Sequence, residues 1–428
     1  MMVRVEEYKL PQHNIISEKF FQPTRLYLPL AQHTGKPSHP LVKKGDYVEE
    51  AQLIASQDGL ISSCLHSPSK GRVVDIDEFN HPILKRAKAI IIDCDNQPKN
   101  YSLRKDIDSL GKLELLDIIK KSGIVGMGGA AFPTYVKLSP PKMIDTLIIN
   151  GCECEPYLAS DYRLMVEKLE EIFKGIEIIY KILEPKTIFF CIEDNKPEAI
   201  KKFNLLINTK KFKFPSISLR VLKTFYPQGG EKQLIYSVTK RKVPSGKLPF
   251  DVGCLVHNVA TCFAIYEAVY WDKPLIERLV SFVGDALVSP KNLWLKIGTS
   301  LKELKEKGIL NFKFEPKKII CGGPMMGIAL ESLDCPVLKG SGGFLFLTKD
   351  VDLKEELPCI RCARCVDACP MGLLPLEYAK IVKVSDYDKL EEFNIKDCIE
   401  CGCCAYICPS NIPIVHYIKI GKRYANNS

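Results

Sequence analysis

The N-terminus, "MMVRVEEYKLPQHN", has no apolar run and no small-residue cleavage site, which argues against a secretory signal. Nor does the chain hold a charge-free stretch of the roughly 20 apolar residues that a membrane crossing needs. Its most apolar long window, 252–271, contains His257, Asn258, Thr261 and Glu267, and reads as a buried loop and helix. No aromatic residues interleave the basic ones in a nucleic-acid motif, so DNA and RNA are not expected partners. Acid is scarce in one region only. Between Lys196 and Lys247 thirteen Lys/Arg face two acids, Glu198 and Glu231, and this segment accounts for the formal charge of +9. Such a run is either a solvated basic face or an attraction for a phosphate-bearing ligand or an acidic partner.

Cysteine is what the chain has in excess. Of 18, nine crowd into residues 359–408 and nine are scattered. Without a secretory signal, this pattern fits an intracellular protein with reduced thiols and a cluster reserved for metal, rather than a disulfide scaffold.

The 428 residues, 46% hydrophobic and 26% charged, predict about three domains. The pattern along the chain is multidomain, α/β plus β. An N-terminal arm, 1–29, precedes short strands and turns over 30–95. There "HPLVKKGDYVEEAQLIA" alternates around a turn at Gly45-Asp46, and "HSPSKGRVVDID" gives a second hairpin signal at Lys70-Gly71. This pattern resembles the barrel-sandwich hybrid of biotinyl and lipoyl domains. Lys70 lacks the Met-Lys-Met-like context of a modified lysine, so no swinging cofactor is assigned. Residues 110–270 alternate helix and strand: "SLGKLELLDIIKKSG" has helical spacing, "DTLIIN" and "TIFFCIED" have strand length, and "PEAIKKFNLLI" opens with proline. That alternation implies a Rossmann-like α/β domain with a largely parallel sheet. Over 275–345, "LVSFVGDAL", "NLWLKIG" and the short helix "SLKELKEKG" resemble a β-grasp, soluble-ligand-binding domain. The cysteines of 355–428 lie among short helical segments.

Two of those segments share one spacing. Cys359, Cys362, Cys365 and Cys369-Pro370 read C-x2-C-x2-C-x3-C-P, and Cys398, Cys401, Cys404 and Cys408-Pro409 repeat it 39 residues later. This is the bacterial ferredoxin run for [4Fe–4S] clusters, in which the fourth cysteine serves the other cluster. Three thiolates two residues apart wrap one face of a cube, while the fourth lies on the following helix and points away. The expectation is one cluster on Cys359, Cys362, Cys365 and Cys408, and a second on Cys398, Cys401, Cys404 and Cys369. Zinc sites favour paired C-x2-C knuckles instead. Superposing the runs sets Cys403 opposite Arg364, so Cys403 is the surplus thiol, expected to behave as a small buried hydrophobe.

Clusters pass one electron at a time, so a two-electron donor needs a converter such as flavin. "GIVGMGGAAFPTYVKL", 123–138, has glycines that let backbone N–H groups approach a phosphate. Alone it reads equally well as a tight turn, and it is not the dinucleotide fingerprint. "NGCECEP" follows the strand "DTLIIN", setting Asn150, Glu153 and Glu155 at a strand's C-terminal end, where α/β sheets bind ligands.

"GMGGAAFPT…K", "NGCECEP", "YPQGGEKQ" and "HNVAT" occur in the order found in the flavin- and NADH-binding subunit of respiratory complex I. With the N-terminal barrel-sandwich pattern, "GGPMMG" at 322–327 and two cluster motifs, the chain more closely resembles the C-subunit family of Rnf (Rsx) electron-transport complexes, from about residue 5 to 425. That resemblance implies FMN held at Gly126, Gly128, Gly129 and Lys137, with Asn150 and Glu153 beside the isoalloxazine and Asn258 and Thr261 completing the pocket. It implies NAD(H) as substrate, with Phe132 stacking on the adenine and Glu155 and Glu231 contacting the nucleotide. Two departures stand out: Cys152 where the complex I relative has an acid, and Ala131 where it often has glycine.

The implied protein is a peripheral, NADH-facing subunit on the cytoplasmic face of the inner (cell) membrane, with no transmembrane segment of its own. Its partners would be the membrane and peripheral subunits of an ion-translocating ferredoxin:NAD oxidoreductase, and catalytic acid–base residues would be none, because the cofactors carry the chemistry. Some relatives carry long Ala/Lys-rich C-terminal extensions, against which this chain reads as a compact form. A soluble flavin/iron–sulfur cobalamin reductase is the nearest rival, but its resemblance begins at the glycine-rich segment. A non-catalytic electron-relay scaffold would lack the glycine segment and "NGCECEP".

Overall fold

The computed structural model describes residues 3–9, 15–18, 21–95, 97, 99–212, 214, 217–349 and 355–425. The rest of the arm and residues 426–428, assigned above to the first and last segments, lie outside the described residues.

Two small antiparallel sheets face each other at the N-terminal end. One orders Arg25–Pro29, Lys85–Cys94, Gly71–His81 and Tyr47–Val48; the other orders His39–Pro40, Leu53–Ser56 and Leu65–His66. Alternation drives the packing: Leu26 and Leu28, Ile90 and Ile92 are fully buried against Ile54. Two expectations are corrected here. Arg25–Pro29, counted with the arm, pairs along its whole length with Lys85–Cys94. The turns at Gly45-Asp46 and Lys70-Gly71 do not close hairpins; each carries the chain from one sheet to the other, since Tyr47–Val48 pairs with Gly71–His81 and not with His39–Pro40. The hairpin is at 81–85 instead. It contains no glycine, and the His81 ring nitrogen Nδ1 accepts from the N–H groups of Ile83 and Leu84, each at 3.0 Å.

The next domain is built on four parallel strands in the order Ile217–Leu222, Thr187–Glu193, Thr146–Gly151, Cys254–Asn258. The apolar window continues as the helix Val259–Trp271, buried along most of its length. It packs on Leu169–Leu183, where Gly175 allows contact: a Cβ there would stand 1.9 Å from the Cys262 carbonyl oxygen. No helix among the described residues is long and apolar enough to cross a membrane.

A five-stranded mixed sheet follows, ordered Lys291–Lys296, Glu277–Val283, Gly343–Leu347, Lys318–Cys321, Ile328–Leu330, with the helix Leu301–Glu306 after its second strand in sequence. The described C-terminal residues form helices and turns around Tyr378, Leu390, Ile395 and Ile418, all fully buried.

One lysine ties three of these units together. Lys339, 1% exposed, precedes the strand Gly343–Leu347. Its Nζ donates to the carbonyls of Cys64, in the N-terminal domain, at 2.6 Å and of Gly123, before the glycine-rich segment, at 2.7 Å. Its own N–H donates to Gln32 Oε1 at 3.0 Å. Burial without a facing carboxylate pushes the Lys339 ammonium down to about 7. The unfolded lysine keeps its proton to about 10.4, so between these values the unfolded state binds more protons and stability rises with pH. Replacing Lys339 with Met strands two buried carbonyls; the expected loss is about 2–4 kcal/mol, read as a lower unfolding midpoint. The parent's gain in midpoint from pH 7 to pH 9 should shrink in the same variant.

Candidate functional site

Parallel pairing sets Asn150 directly beside Asn258 at the C-terminal ends of adjacent strands. Each asparagine organises its own surroundings. Asn258 caps the helix Val259–Trp271, accepting from Ala260 N at 2.8 Å, and donates to Asp161 Oδ2 at 2.6 Å. Burial and the nearby Glu153 push the Asp161 carboxyl up, while the Asn258 bond opposes them. Asn150 accepts from Cys152 N at 3.1 Å and donates to the Gly229 carbonyl at 2.9 Å.

The glycine-rich segment arches over this pair. Gly126 N donates to the Phe132 carbonyl at 2.9 Å, and Met127 N donates to the buried Thr261 Oγ1 at 3.0 Å. A Cβ on Gly128 would stand 2.8 Å from Asn258 Nδ2, so only glycine lets the backbone lie this close. Gly129 is exposed, and nothing stands within 4 Å of where its Cβ would begin. Such a cradle fits a phosphate or a ring edge. Ala131, at φ +51°, holds a left-handed conformation that glycine adopts without strain. Lys137 extends from the short helix Thr134–Lys137 to Glu231 Oε1 at 2.6 Å, joining this segment to residues 226–233. His257, missed as a site residue, is buried with Nε2 unpartnered; burial and the Lys137 charge hold its ring well below the ordinary histidine range. It opens the "HNVAT" motif but lies on the opposite strand face from Asn258.

Glu153 and Glu155 separate. The Glu153 carboxylate accepts from Asp161 N at 2.9 Å and Tyr162 N at 3.0 Å, closing the start of the helix Ser160–Glu167, while its carbonyl takes the buried Lys9 ammonium of the arm. The Glu155 carboxylate turns instead to the "GGPMMG" turn, accepting from Met325 N at 3.1 Å and Met326 N at 2.7 Å. Gly323 is pressed on it, since a Cβ there would be 2.1 Å from Glu155 Oε2. Both Glu155 oxygens are thus engaged by backbone N–H groups, and burial raises its pKa. Cys152, noted above as a departure from the complex I pattern, is wholly buried among Ile148, Cys191 and Leu234.

The cysteines form two groups. Cys359, Cys362, Cys365 and Cys408 bound one cavity of about 260 Å³. Cys369, Cys398, Cys401 and Cys404 bound a tighter one, together with Cys403. Each group thus joins three cysteines of one run to the fourth of the other. Cys403 Sγ points to the Tyr226 carbonyl at 4.0 Å and packs with Tyr226 and Ala368. Residues 226–233 link the asparagine site to this second group: Gly229 meets Asn150 and Glu231 meets Lys137, while Tyr226 covers Cys403 and Gln233 Nε2 donates to the Pro370 carbonyl at 3.4 Å.

Comparison with known proteins agrees with this division. The model of the Nuo51 FMN-binding domain matches residues 119–267, that of the RnfC barrel sandwich hybrid domain residues 3–97, and that of a 4Fe–4S dicluster domain residues 358–412. An NAD+-reducing [NiFe]-hydrogenase in the H2-reduced state shares the fold over 74% of this chain and 62% of its own, with TM-score 0.52 and 16% identity. Fold and site together define a flavin-domain protein carrying a two-cluster iron–sulfur module.

The C subunit of the proton-translocating ferredoxin:NAD(+) oxidoreductase complex of Clostridium ljungdahlii is 45% identical over 382 residues, covering 88% of this chain and 82% of that protein. Its Na(+)-translocating counterpart in Acetobacterium woodii is 38% identical, covering 88% and 85%. The chain spans 56% of the C subunit of the ion-translocating oxidoreductase complex of Haemophilus influenzae, at 40% identity. The chain belongs to this C-subunit family.

The Glu155 geometry has a measurable consequence. Glutamine at 155 keeps one oxygen acceptor and turns an amide N–H₂ on the second backbone N–H. The expected result is a loss of about 1–3 kcal/mol and a changed EPR spectrum of the 4Fe–4S dicluster domain, with NADH-driven flavin bleaching unaltered. Slower bleaching at limiting NADH with unaltered stability would instead assign Glu155 to the nucleotide site.

Proposed function

We propose that this chain is the peripheral, NADH-facing subunit of an ion-translocating ferredoxin:NAD oxidoreductase of the Rnf type, at the cytoplasmic face of the membrane. Its partners are the membrane and other peripheral subunits of that complex. The observation that carries this reading is the juxtaposition of the asparagine–glycine site with two four-cysteine cavities through residues 226–233. Bound FMN supplies the conversion between a hydride and single electrons, and bound [4Fe–4S] clusters supply one-electron relay.

The protein's part is binding, orientation and spacing. Gly126, Gly128 and Gly129 bring backbone close to the flavin, with Lys137 contributing positive charge for the phosphate. Asn150, Glu153, Asn258 and Thr261 frame the ring, each held by a bond to backbone or to a neighbouring side chain. Phe132 and Glu231 face the nicotinamide nucleotide. Glu155 sits at the border of that site and holds the 322–327 turn. The domains are read as a barrel-sandwich hybrid, a Rossmann-like flavin domain, a β-grasp domain of the soluble-ligand-binding kind, and a helical ferredoxin-like module.

For the ligand sets, the support is that Cys408 lines the cavity of Cys359, Cys362 and Cys365, and Cys369 that of Cys398, Cys401 and Cys404. Each cluster would then clamp both runs, coupling metal binding to folding. The test is anaerobic purification with iron and flavin counts, followed by NADH: the flavin should bleach and, after acid precipitation, co-migrate with FMN. Finding only FAD, or no flavin after reconstitution, would sink the reading. In the same preparation Cys408→Ser should reproduce the EPR change of Cys365→Ser, not that of Cys404→Ser. Cys403→Ala should keep a full iron complement, because a small apolar exchange costs little.

A further inference from the structure

Two buried ammonium groups converge on successive carbonyls of "NGCECEP". Lys196, fully buried, donates to the Cys152 carbonyl at 2.7 Å, to Glu193 Oε2 at 2.7 Å and to Asn195 Oδ1 at 3.0 Å. It brings its own counter-charge, since Glu193 is only three residues away. Lys9, 2% exposed, donates to the next carbonyl, that of Glu153, from 144 residues away in the chain. Burial and the nearby Lys196 push its ammonium below the ordinary lysine range, and the carboxylates of Glu153, Glu193 and Glu7 oppose them.

Glu153 stands at φ +33°, a left-handed conformation that a residue with a side chain rarely adopts and that its surroundings must enforce. Both of its ends are held. The carboxylate accepts from Asp161 N, Tyr162 N and, at 3.2 Å, Ser160 Oγ. Those bonds fix the side chain but leave the peptide that follows it free to turn, and Lys9 holds that peptide by its oxygen.

The rest of the arm crosses the same ground. Val3 exchanges two backbone hydrogen bonds with Tyr226, each 2.9 Å. Glu7 accepts from Asn195 Nδ2 at 2.8 and 2.9 Å, and Tyr8 stacks on Tyr157 with ring centres 4.6 Å apart. Residues 3–9 thus strap the 152–157 loop to the start of the 226–233 segment, and these two meet at Asn150 through Gly229. A strap needed only for cover would bring apolar side chains, because burying an ammonium is unfavourable unless it has a specific partner. Here the partner is the backbone of Glu153.

We propose that Lys9 is a positioning residue of the flavin site, fixing the Glu153 peptide so that residues 3–9 complete the pocket from the opposite end of the chain. The proposal rests on the reading that Asn150 and Glu153 frame the FMN ring. Lys9 acts through Glu153 and its charge, without contact to the flavin. A buried cation favours the reduced, more negative ring.

The test uses the full chain, reconstituted with iron and sulfide and stripped of flavin. Binding of FMN is read by quenching of its fluorescence, and the midpoint potential of the bound flavin by redox titration. Lys9→Met keeps the length of the side chain and removes its charge and donors. It should bind FMN about tenfold more weakly or worse and lower the potential, with iron content unchanged. Lys9→Gln keeps an amide donor without the charge; its affinity should fall between, and it carries the test where the Met variant does not fold. A lower unfolding midpoint with the parent's FMN affinity and potential marks a merely structural lysine and overturns the proposal. A parent that binds no FMN sinks the functional reading together with this role, whereas a parent that binds FMN beside two variants equal to it sinks only the role of Lys9.

Discussion

The register between Cys254–Asn258 and Thr146–Gly151 governs everything around the glycine-rich segment. Side chains on a strand alternate faces, so a slip of one residue would turn one asparagine to the face opposite the other. In the observed register Asn258 caps one helix, reaches Asp161 and supports Gly128, while Asn150 holds Gly229. The site is therefore fixed by strand ends rather than by loop conformation, and its glycines are needed only where backbone lies on a side chain.

A second constraint acts in the C-terminal module. Its two cysteine runs are intertwined, and its apolar core is small, centred on Tyr378, Leu390 and Ile418. Small cores contribute little stability, and metal sites commonly supply the remainder. The module also leans on its neighbours through Cys403 against Tyr226, Gln233 on the Pro370 carbonyl and Lys232 near Asp397 at 3.9 Å.

Much of this is legible in the sequence because it is local. The cysteine spacing, the strands Thr146–Gly151 and Thr187–Glu193, and the proline-led helix Pro197–Asn208 follow from periodicity and punctuation. His257, Asn258 and Glu267 mark the apolar window as a buried element of a folded domain, and the structure makes it one. What local pattern does not report is pairing at a distance. Whether Gly45-Asp46 closes a hairpin or crosses between sheets depends on Gly71–His81, which lies more than twenty residues on. The direction of Glu155 is set by the 322–327 turn of another domain. The basic segment misleads in part, because Lys196 is fully buried against Glu193 at 2.7 Å and Arg241 pairs with Asp145 at 2.6 Å.

The Lys339 tie bears on how such a protein can work. Its ammonium reaches the N-terminal and flavin domains from the third, and the same third domain meets the cysteine module at Met325 and Gly402. A hinge between any two of the first three would have to break buried bonds to lysine. The asparagine–glycine site is then held in a rigid frame that is set at folding. The first three domains are therefore one block, within which a large relative motion is barred.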